Sequence, residues 1–423
     1  MSRKFLPLIS ILLIAAVLLA ACAKPTATPT VEPTTPPVVE TTEAPTAEPT
    51  LQGTITLWHG WKANEINSLN SVVKAFQALY PDVTFDVLYV PFDDLKGKYE
   101  TAVGAGGGPT VLIGAADWGP ALFDATLVED LKPLVAQEVV DTIVPAALSA
   151  VQYKDALVGL PQTLKGVVLF RNKAIIAEPV ATFEELVTAA KAATAGDIVG
   201  ADLEYGFFFS AGHLFGVGGT LMEANGDPTF NNEKGVEWVN FIKSFKDAGP
   251  VENYNDNDVN LFKAGKAGYI IDGSWNAADL AKAIGAENLV VDAWPTPMSG
   301  FVQTENIYLS ANATGDDQAA AVKFIEFFMS AEAQTMLAEV GTDIPMAGHI
   351  PAITGLEVTD PIEKGAVAAF ATGAPFPVIP EMGAYWDPLN NALKKVMDED
   401  ADPAAVLLEA YDAIVAKIAE IRK

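Results

Sequence analysis

The chain has 423 residues, of which 50% are hydrophobic, and its 54 acidic and 26 basic residues give a formal charge of −28. This length exceeds what one ordinary hydrophobic core can organise and indicates about two domains. Because so acidic a surface repels a polyanion, the composition excludes nucleic acid as an expected partner. The ordinary explanation of the charge is solubility.

The N-terminus reads as an export signal. Arg3 and Lys4 precede an apolar run over 5–21, which ends in the segment LAAC at Cys22. Basic residues, a short apolar run and small residues before a cleavage site predict a secretory signal peptide over 1–22. A membrane-spanning anchor, the alternative, needs about 20 apolar residues, and this run is slightly shorter. LAAC resembles the lipobox of bacterial lipoproteins, and Cys22 is the only cysteine of the chain, so we expect it to be lipidated.

A tether follows the signal. From residue 25 to residue 50 the chain contains only Pro, Thr, Ala, Val and Glu. Such a segment buries too little apolar surface to offset its chain entropy and stays extended and solvated. We therefore predict a Pro/Thr-rich tether over 23–50, which holds a soluble body away from a membrane. The sequence leaves O-glycosylation of its threonines open.

The soluble body begins with alternating strand and helix patterns. The apolar residues of its first helix recur every three or four positions, and the proline that follows Tyr80 ends that helix. Strand–helix alternation predicts two right-handed crossovers and a parallel sheet. Strands are predicted at 54–58, 83–90 and 110–114, and helices at 66–80 and 92–106.

The residues just past these strands are candidates for a binding site. A parallel sheet binds ligands outside the carboxyl ends of its strands. Aromatic side chains occupy that position in all three cases, and carboxylates in the second and third. They lie in the segments 58–61, 91–94 and 115–118.

The first of these segments is the Trp-His-Gly-Trp cluster at 58–61. We predict that Trp58 follows the strand register and packs in the core. Gly60 allows a tight turn, and Trp61 is predicted to project past the sheet edge towards a ligand. For His59 the sequence leaves open a position at the rim of the cleft or a place in the core.

The remaining chain continues in the same α/β style. Thr182, with Glu185 three residues later, predicts a capping box at the start of a helix. The residues from 196 to 232 are interpreted as loops and short strands. A turn followed by a strand is predicted at 156–173, and further strands at 267–276 and 289–297. A helix is predicted to start at 181–186, and further helices are predicted at 232–249, 317–341 and 407–421.

Several kinds of chemistry are excluded by the residues available. The three histidines and one lipidated cysteine cannot supply a usual zinc site. The segment 256–260 imitates a calcium loop, but Leu261 stands where the turn requires glycine. The glycine-rich segment 104–110 lacks the Lys and Ser/Thr of a phosphate loop, and no Gly-x-Ser-x-Gly motif is present. We expect no metal and no cofactor.

Carboxylate pairs leave one enzymatic alternative open. Asp117, Asp272 and Glu305 lie near predicted strand ends, and a glycosidase needs two such carboxylates across its substrate. Their separations do not follow from the sequence. The expectation is that the protein is not an enzyme.

Aromatic residues stand out at loop positions beside small or polar residues. A tryptophan face matches the apolar face of a pyranose ring, and carboxylates, amides or lysine satisfy the sugar hydroxyls. Core packing is the alternative for each ring taken singly. The residues are Trp61, Trp118, Trp275, Tyr385 and Trp386.

The pattern resembles the extracellular solute-binding proteins of ABC importers, in the family that includes maltose-binding protein. The resemblance covers nearly all of 51–423 in the order of the family. The matching segments are ITLWHGW and its continuation (55–95), GLPQTLKGVVLFRNK (159–173), ATFEELVTAAKA (181–192), LFKAGKAGYIIDGSWN (261–276), AVKFIEFFMSAEAQTML (321–337) and IPEMGAYWDPLNNAL (379–393).

The resemblance implies a two-lobed periplasmic-binding-protein-like α/β fold. Each lobe has a central mixed or parallel sheet flanked by helices, and the ligand is held in a cleft at the hinge. Lobe one is expected over 51–163 and 308–358, and lobe two over 164–307 and 359–423. The C-terminal helix is expected to pack on lobe two.

The implied function is capture of a carbohydrate, an oligosaccharide, and its delivery to an ABC permease. Closure of the lobes excludes water, and the permease recognises the closed form. We expect a monomer that is extracytoplasmic, contacts the membrane only through its lipid, and lies at the cell surface or in a periplasm.

The resemblance also implies ligand-binding residues. Trp275 falls where the family motif Gly-x-Trp places a stacking aromatic residue, and Trp386 falls at its late aromatic position. Lys165 occupies a position that is usually a carboxylate in maltose-type members, which puts maltose itself in doubt. The full expected set is Trp61, Lys62, Asp117, Lys165, His213, Trp275, Glu305, Tyr385 and Trp386.

Two alternatives remain at this point. The same fold could bind a non-sugar anion such as glycerol phosphate, with Lys62 and Lys165 as phosphate partners. A secreted glycosidase would instead depend on Asp117 or Glu305.

Overall fold

The computed structural model describes residues 50–62, 64–338 and 349–423. The predicted signal peptide, Cys22 and the tether up to residue 49 lie outside these ranges. Among the described residues, no helix is both long and apolar enough to cross a bilayer.

The strands agree with the sequence prediction in most places. They are β1 (Gly53–His59), β2 (Val83–Tyr89), β3 (Val111–Ala115), β4 (Gln152–Tyr153), β5 (Ala156–Leu157), β6 (Leu160–Asn172), β7 (Val199–Glu204), β8 (Val251–Glu252), β9 (Ala267–Gly273), β10 (Leu289–Asp292), β11 (Phe301–Leu309) and β12 (Ala374–Pro375).

The helices surround these strands. They are α1 (Asn64–Leu79), α2 (Phe92–Gly104), α3 (Trp118–Asp124), α4 (Gln137–Val140), α5 (Pro145–Ser149), α6 (Phe183–Ala193), α7 (Phe207–Ser210), α8 (Gly212–Gly216), α9 (Glu233–Lys243), α10 (Asn257–Lys263), α11 (Ala277–Ile284), α12 (Gly315–Phe328), α13 (Ala331–Ala338), α14 (Pro361–Ala371), α15 (Trp386–Glu399) and α16 (Pro403–Ile421). Short 3₁₀ turns lie at Ser244–Asp247, Ser274–Asn276 and Pro380–Ala384.

The main sheet is mixed. Its strands follow the order β2-β1-β3-β11-β6-β9-β7-β8, while β10 pairs with β6, β12 pairs with β11, and β4 and β5 form a separate hairpin. Strand β1 is parallel to both β2 and β3, which confirms the two predicted crossovers. Strand β11 is antiparallel to both β3 and β6. The predicted α/β class is therefore confirmed.

One large core packs against β1 and β3. Buried Ile55 and Leu57 of β1 face Phe76 of α1 and Phe324 of α12, and the rings of the two phenylalanines are 5.2 Å apart. Burying each such side chain stabilises the fold by about 1.5–3 kcal/mol. The core fixes β1, and with it the residues that follow β1.

A second large core joins β6, β7 and β9 to the C-terminal helices. Leu407, Ile414 and Ile418 of α16 lie in the same cluster as Leu169 of β6 and Trp238 of α9. The spacing of these three residues is that of one helix face, as the sequence predicted. The lobe boundaries given above stay a prediction.

Three local differences from the sequence prediction have simple causes. The helical region predicted over 317–341 is divided between α12 and α13, because the Ser330 hydroxyl accepts a hydrogen bond from the Ala333 N–H and starts a new helix. Strand β10 ends at Asp292, shortly before Pro295, which cannot donate to a ladder. The stretch over 196–232 contains α7 and α8, which the loop interpretation missed.

The predicted capping box is present at the start of α6. The Glu185 N–H donates to Thr182 Oγ1 at 3.2 Å, and the Thr182 N–H donates to Glu185 Oε2 at 3.3 Å. Both bonds satisfy amide groups that the first turn of a helix leaves open.

Candidate functional site

A buried lysine joins three segments of the chain. Lys165 lies in β6, and its Nζ is 2.8 Å from Glu65 Oε1 and 2.8 Å from Glu305 Oε2. Glu65 lies in the first turn of α1, and Glu305 lies in β11 beside a bulge in the pairing with β6. His349 Nε2 lies 3.0 Å from Glu65 Oε1. We call Glu65, Lys165, Glu305 and His349 the polar cluster.

The charges of the polar cluster support one another. Burial works to lower the pKa of Lys165, but the carboxylates of Glu305 and Glu65 outweigh it, and the pKa is raised. Burial works to raise the pKa of Glu65, but Lys165 and His349 outweigh it and hold the pKa at about 2. Burial and the lysine charge lower the pKa of His349. The ammonium and the Glu65 carboxylate are therefore charged at neutral pH, and the imidazole is neutral.

Two further side chains enclose the polar cluster. The Trp61 indole donates from Nε1 to Glu305 Oε2 at 2.7 Å, and its ring meets His349 edge-on at 4.9 Å between centroids. Gln162 Nε2 donates to the same carboxylate oxygen at 2.9 Å. Glu305 thus accepts hydrogen bonds from three donors at one oxygen, and its position is fixed from three directions.

Trp58 and Trp61, the two tryptophans near the end of β1, are buried to different extents. Trp61, predicted to project past the sheet edge, is only 2% exposed and lies in the core beside α1 and α12. Trp58, predicted to be the core residue, is half-buried, with the Lys98 ammonium 5.2 Å from its ring centroid. Trp58 nevertheless packs against the apolar cluster that contains Leu95 and Leu122, which agrees with its predicted core position. Trp61 follows the end of β1, as predicted, but it is more buried than a residue that projects from an open sheet edge. That Trp61 contacts a ligand stays a prediction.

Aromatic rings form a wall beside the ends of β7 and β9. Phe208 lies between two tryptophans, with ring centroids 6.1 Å from Trp275 and 6.1 Å from Trp386. The Phe208 and Trp386 rings are nearly parallel, at 20°. Phe376 packs behind Phe208 at 5.7 Å. Both tryptophans are half-buried, so each keeps part of its ring accessible. We call Trp275, Phe208 and Trp386 the aromatic wall.

Local sequence explains the position of Trp275. A β-carbon added at Gly273 would lie 2.0 Å from Trp275 Cζ2, so the indole can lie on the strand only because residue 273 is glycine. Asp272 Oδ1 accepts from the Gly273 N–H, and Asp272 Oδ2 accepts from Asn276 Nδ2, each at 2.6 Å. The turn that carries the Trp275 indole is therefore held by hydrogen bonds to both carboxylate oxygens of Asp272.

Lys165 connects the polar cluster to the aromatic wall. Its Nζ lies 5.5 Å from the Trp61 ring centroid and 6.0 Å from the Trp275 ring centroid, distances at which a cation attracts an aromatic face. The structure thus brings together the predicted residues Trp61, Lys165, Trp275 and Glu305. Trp386 joins them through Phe208.

Lys62 and Asp117 lie apart from these contacts. The Lys62 side chain is exposed. Asp117 precedes α3, and burial raises the pKa of its carboxyl to about 6. Neither residue has a hydrogen bond to the polar cluster through its side chain in the part of the chain that the structure describes.

His213 lies inside the second core. It is 0% exposed, and the Trp294 and Phe245 rings meet it edge-on at 5.5 and 5.4 Å. The Ser299 N–H donates to His213 Nδ1 at 2.9 Å, and burial lowers the pKa of the imidazole to about 3. The residue therefore supports the packing as a neutral ring.

Tyr385 is also fully buried. Its hydroxyl donates to the Gly226 carbonyl at 2.8 Å, and its ring meets Phe230 at 6.2 Å. Tyr385 directly precedes Trp386, so its anchoring helps to hold the first turn of α15 and the indole that follows.

Sequence reasoning missed Glu65, His349 and Phe208. Glu65 follows Trp61 by four residues, but the helical pattern there indicated only an apolar face. His349 reaches the site because Ile350 bridges to Leu164 in β6, a pairing that the sequence does not encode locally. The run of three phenylalanines at 207–209 was a usable signal for the aromatic wall.

The cluster also contains residue types that bind metals. Ligand atoms of Glu65, Glu305 and His349 lie within 4.8 Å of one another. The Lys165 ammonium already contacts both carboxylates and supplies the positive charge that a metal ion would bring. We therefore assign no metal site to this cluster.

A buried polar cluster beside a half-buried aromatic wall, on a mixed α/β sheet, is typical of a protein that binds a small solute. The sequence belongs to the family of bacterial extracellular solute-binding proteins, whose model matches residues 71–369. Members of this family bind solutes for transporters and are not enzymes, which answers the glycosidase alternative.

Two relatives are similar to this chain in sequence over most of their length. The maltotriose-binding protein of Pyrococcus abyssi is 25% identical over 384 residues, which cover 86% of this chain and 82% of that protein. The galactooligosaccharide-binding protein of Bacillus subtilis is 25% identical over 389 residues, which cover 85% of this chain and 88% of that protein.

Solved structures show the same fold. The maltose/maltodextrin-binding domain from Bdellovibrio bacteriovorus, bound to maltotriose, superposes with a TM-score of 0.78 at 23% identity, covering 86% of this chain and 100% of that one. The maltotriose-binding protein of Thermus thermophilus superposes with a TM-score of 0.76 at 23% identity and the same coverage. The two-lobed fold expected from the sequence is confirmed.

Proposed function

We propose that this protein is the lipid-anchored extracytoplasmic receptor of an ABC importer and captures an oligosaccharide. Two lobes close on the ligand, and the closed form delivers it to the permease. The lobes are 51–163 with 308–358, and 164–307 with 359–423. The receptor acts as a monomer without a cofactor.

The aromatic wall is the observation that carries this proposal. Trp275 and Trp386 flank Phe208, and both tryptophans are only half-buried. Aromatic faces match the apolar faces of pyranose rings, and such contacts are worth about 0.5–1.5 kcal/mol beyond the area buried. Two of them separated by a third ring suit a ligand with more than one sugar unit.

The polar cluster supplies hydrogen-bonding groups beside that wall. In the described part of the chain, Gln162 Oε1 and His349 Nδ1 are buried without a hydrogen-bond partner. Buried polar atoms are usually paired, so unpaired ones beside a candidate site support a ligand rich in hydroxyl groups. Trp61, Lys165 and Glu305 line the same region, and we propose that Lys62 and Asp117 approach the ligand from the first-strand and third-strand loops.

His213 and Tyr385 have a supporting role in this proposal. Both are 0% exposed, and each holds an element that carries or adjoins the aromatic wall. Their contribution to ligand affinity is therefore indirect.

The names of the relatives support an oligosaccharide. The two relatives described above bind maltotriose and galactooligosaccharide according to their names. Lys165 argues against an anionic ligand such as glycerol phosphate, because two carboxylates already neutralise its ammonium and leave the polar cluster with an excess negative charge.

Isothermal titration calorimetry of the full-length protein tests the ligand class. The panel contains maltose, maltotriose, maltotetraose, galactooligosaccharides and glycerol 3-phosphate. We expect binding of at least one oligosaccharide and none of the phosphate. Binding of glycerol 3-phosphate alone would overturn the carbohydrate assignment.

Lipid anchoring is tested separately. Cells expressing the wild type and Cys22→Ser are grown with an alkyne-labelled fatty acid and then fractionated. We expect label and membrane association for the wild type only. An unlabelled wild-type protein in the soluble fraction would remove the anchor from the proposal.

A further inference from the structure

Phe92 is a large aromatic residue that is exposed to solvent. It follows the carboxyl end of β2 as the first residue of α2, and it is 43% exposed. The parallel strands β1, β2 and β3 end at the same edge, where such sheets bind ligands. An exposed aromatic ring at this edge lies where a ligand can meet it.

The ring of Phe92 packs against Trp118 and lies close to Gly60. Its centroid is 5.0 Å from the Trp118 ring at an angle of 35°, and Trp118 is only 7% exposed. A β-carbon added at Gly60 would lie 3.2 Å from Phe92 Cβ, so the chain passes close beneath the phenylalanine. Phe92 is therefore held in place on one side while its other side faces solvent.

Trp118 is itself seated on a glycine. A β-carbon added at Gly114 in β3 would lie 2.4 Å from Trp118 Cζ3. The indole covers the strand where a side chain at residue 114 would otherwise stand. This close approach fixes Trp118, and through it the plane on which Phe92 rests.

Short paths connect this pair to the polar cluster. Gly60 precedes Trp61, whose indole donates to Glu305. Ala115, directly after Gly114, is in register with Glu305 across β3 and β11. The Phe92–Trp118 pair therefore lies beside chain neighbours of the polar cluster on the side of β1–β3. Trp275 lies on the side of β9, 6.0 Å from the Lys165 ammonium.

We propose that Phe92 is a second carbohydrate-stacking surface, which contacts a further sugar ring of the same oligosaccharide bound at the aromatic wall. This inference rests on the proposed function and names its ligand more closely as one long enough to reach both surfaces. The exposed face stacks on the ring, and the buried Trp118 keeps that face rigid. Phe92 thus selects for ligand length.

The test measures affinity against ligand length. Calorimetry compares the wild type with Phe92→Ala, Phe92→Leu and Phe92→Trp on maltose, maltotriose and maltotetraose, or on the corresponding galactooligosaccharides if those bind. We expect Phe92→Ala and Phe92→Leu to weaken the longest ligand by about 3- to 10-fold, the scale of one aromatic contact. The shortest ligand that binds should change by less, and Phe92→Trp should keep the affinity.

A matched control and a folding check accompany these variants. Phe123 of α3 is a half-buried phenylalanine that meets Tyr153 edge-on at 6.5 Å, and Phe123→Ala should leave all affinities unchanged. Melting temperatures of all variants show whether a loss reflects the fold. Equal loss for every ligand length, or no loss for Phe92→Ala, overturns the inference.

Failure of this inference differs from failure of the proposed function. If the wild type binds oligosaccharide and Trp275→Ala weakens it while Phe92→Ala does not, only the second stacking surface is overturned. If the wild type binds no carbohydrate of the panel, both are overturned.

Discussion

At the scale of single residues, Lys165 is the most consequential side chain of the site. Its ammonium lies between two carboxylates and within reach of two tryptophan faces. Taking charges out of water costs several kcal/mol per ion, and close pairing is what offsets this cost. The lysine therefore offsets the cost of burying the Glu65 carboxylate.

Lys165→Met is expected to destabilise the protein by about 3–5 kcal/mol at pH 7, because it leaves buried carboxylates without their cation. Urea denaturation measures this loss. Lys154→Met is the control, since Lys154 pairs with Asp124 at an exposed site where solvent screens the pair, and it should cost far less than Lys165→Met. A loss no larger than that of the control would contradict the prediction.

The same variant should change the pH dependence that Glu65 contributes. In the wild type the pKa of Glu65 is depressed to about 2, so its contribution is present above an unfolded pKa of about 4.3 and is lost as the pH falls towards 2. Without Lys165, burial of Glu65 loses the largest charge that opposes it and only His349 remains to lower this pKa, so the stability of Lys165→Met should rise more steeply than that of the wild type as the pH falls from 7 to 5. Denaturation midpoints across this range measure the slope.

The indoles of the aromatic wall carry the second prediction at this scale. Trp275→Ala and Trp386→Ala should each weaken carbohydrate binding by about 1–3 kcal/mol, because each removes an aromatic contact and the apolar area around it. Calorimetry with the tightest ligand measures the effect. Unchanged affinity in both variants would show that these rings do not contact the ligand.

At the scale of elements, neighbouring strands β7, β8 and β9 carry an unusual group of carboxyls. Asp202, Glu204, Glu252 and Asp272 come from these strands, Asp258 comes from α10, and all five are at most 5% exposed. None of them takes part in an ion pair in the described part of the chain. Burial raises the pKa of Asp202 and Glu204 to about 7, of Asp258 to about 9 and of Asp272 to about 6.

Stability should therefore fall as the pH rises. A carboxyl whose pKa is raised on folding contributes stability that is present below its unfolded pKa, near 4, and is lost as the pH passes its folded pKa. For Asp258 this window runs from about 4 to about 9. A difference of one bound proton gives a slope of about 1.4 kcal/mol per pH unit.

Asp258→Asn checks this expectation, because the amide copies the neutral carboxyl. Urea denaturation at pH 5, 7 and 9 should show a steeper decline for the wild type than for the variant. Asp398→Asn on α15, an exposed position, should follow the wild type. Parallel declines for wild type and Asp258→Asn would show that this carboxyl does not hold its proton.

At the scale of the whole molecule, the sequence predicts regular elements better than it predicts the site. The strand Val111–Ala115 and the helix α16 follow directly from the apolar pattern, because the strand is buried throughout and the helix buries one face. The polar cluster does not follow in this way. Lys165 and Glu65 are 100 residues apart, and no local pattern encodes their meeting.

The direction in which a side chain points was also beyond local sequence reasoning. The deep burial of Trp61 depends on packing against Phe328 of α12, which the sequence around Trp61 does not encode. His213 and Tyr385 lie in segments that approach the site, yet the packing of their rings decides that both face the core. The resemblance of whole segments predicted which parts of the chain approach the site. Packing in the hydrophobic cores determines which way each side chain points.

Two glycines determine where tryptophans of the proposed binding surfaces can lie. The indole of Trp118 lies on Gly114, and that of Trp275 lies on Gly273, so a single methyl group at either glycine would displace a tryptophan. In a scan of every substitution, these two positions should tolerate no replacement that keeps full sugar affinity. Gly273→Ala should reproduce the affinity loss of Trp275→Ala although the indole is still present. Such a scan would then identify two glycines, which have no side chain, as positions that tolerate no substitution.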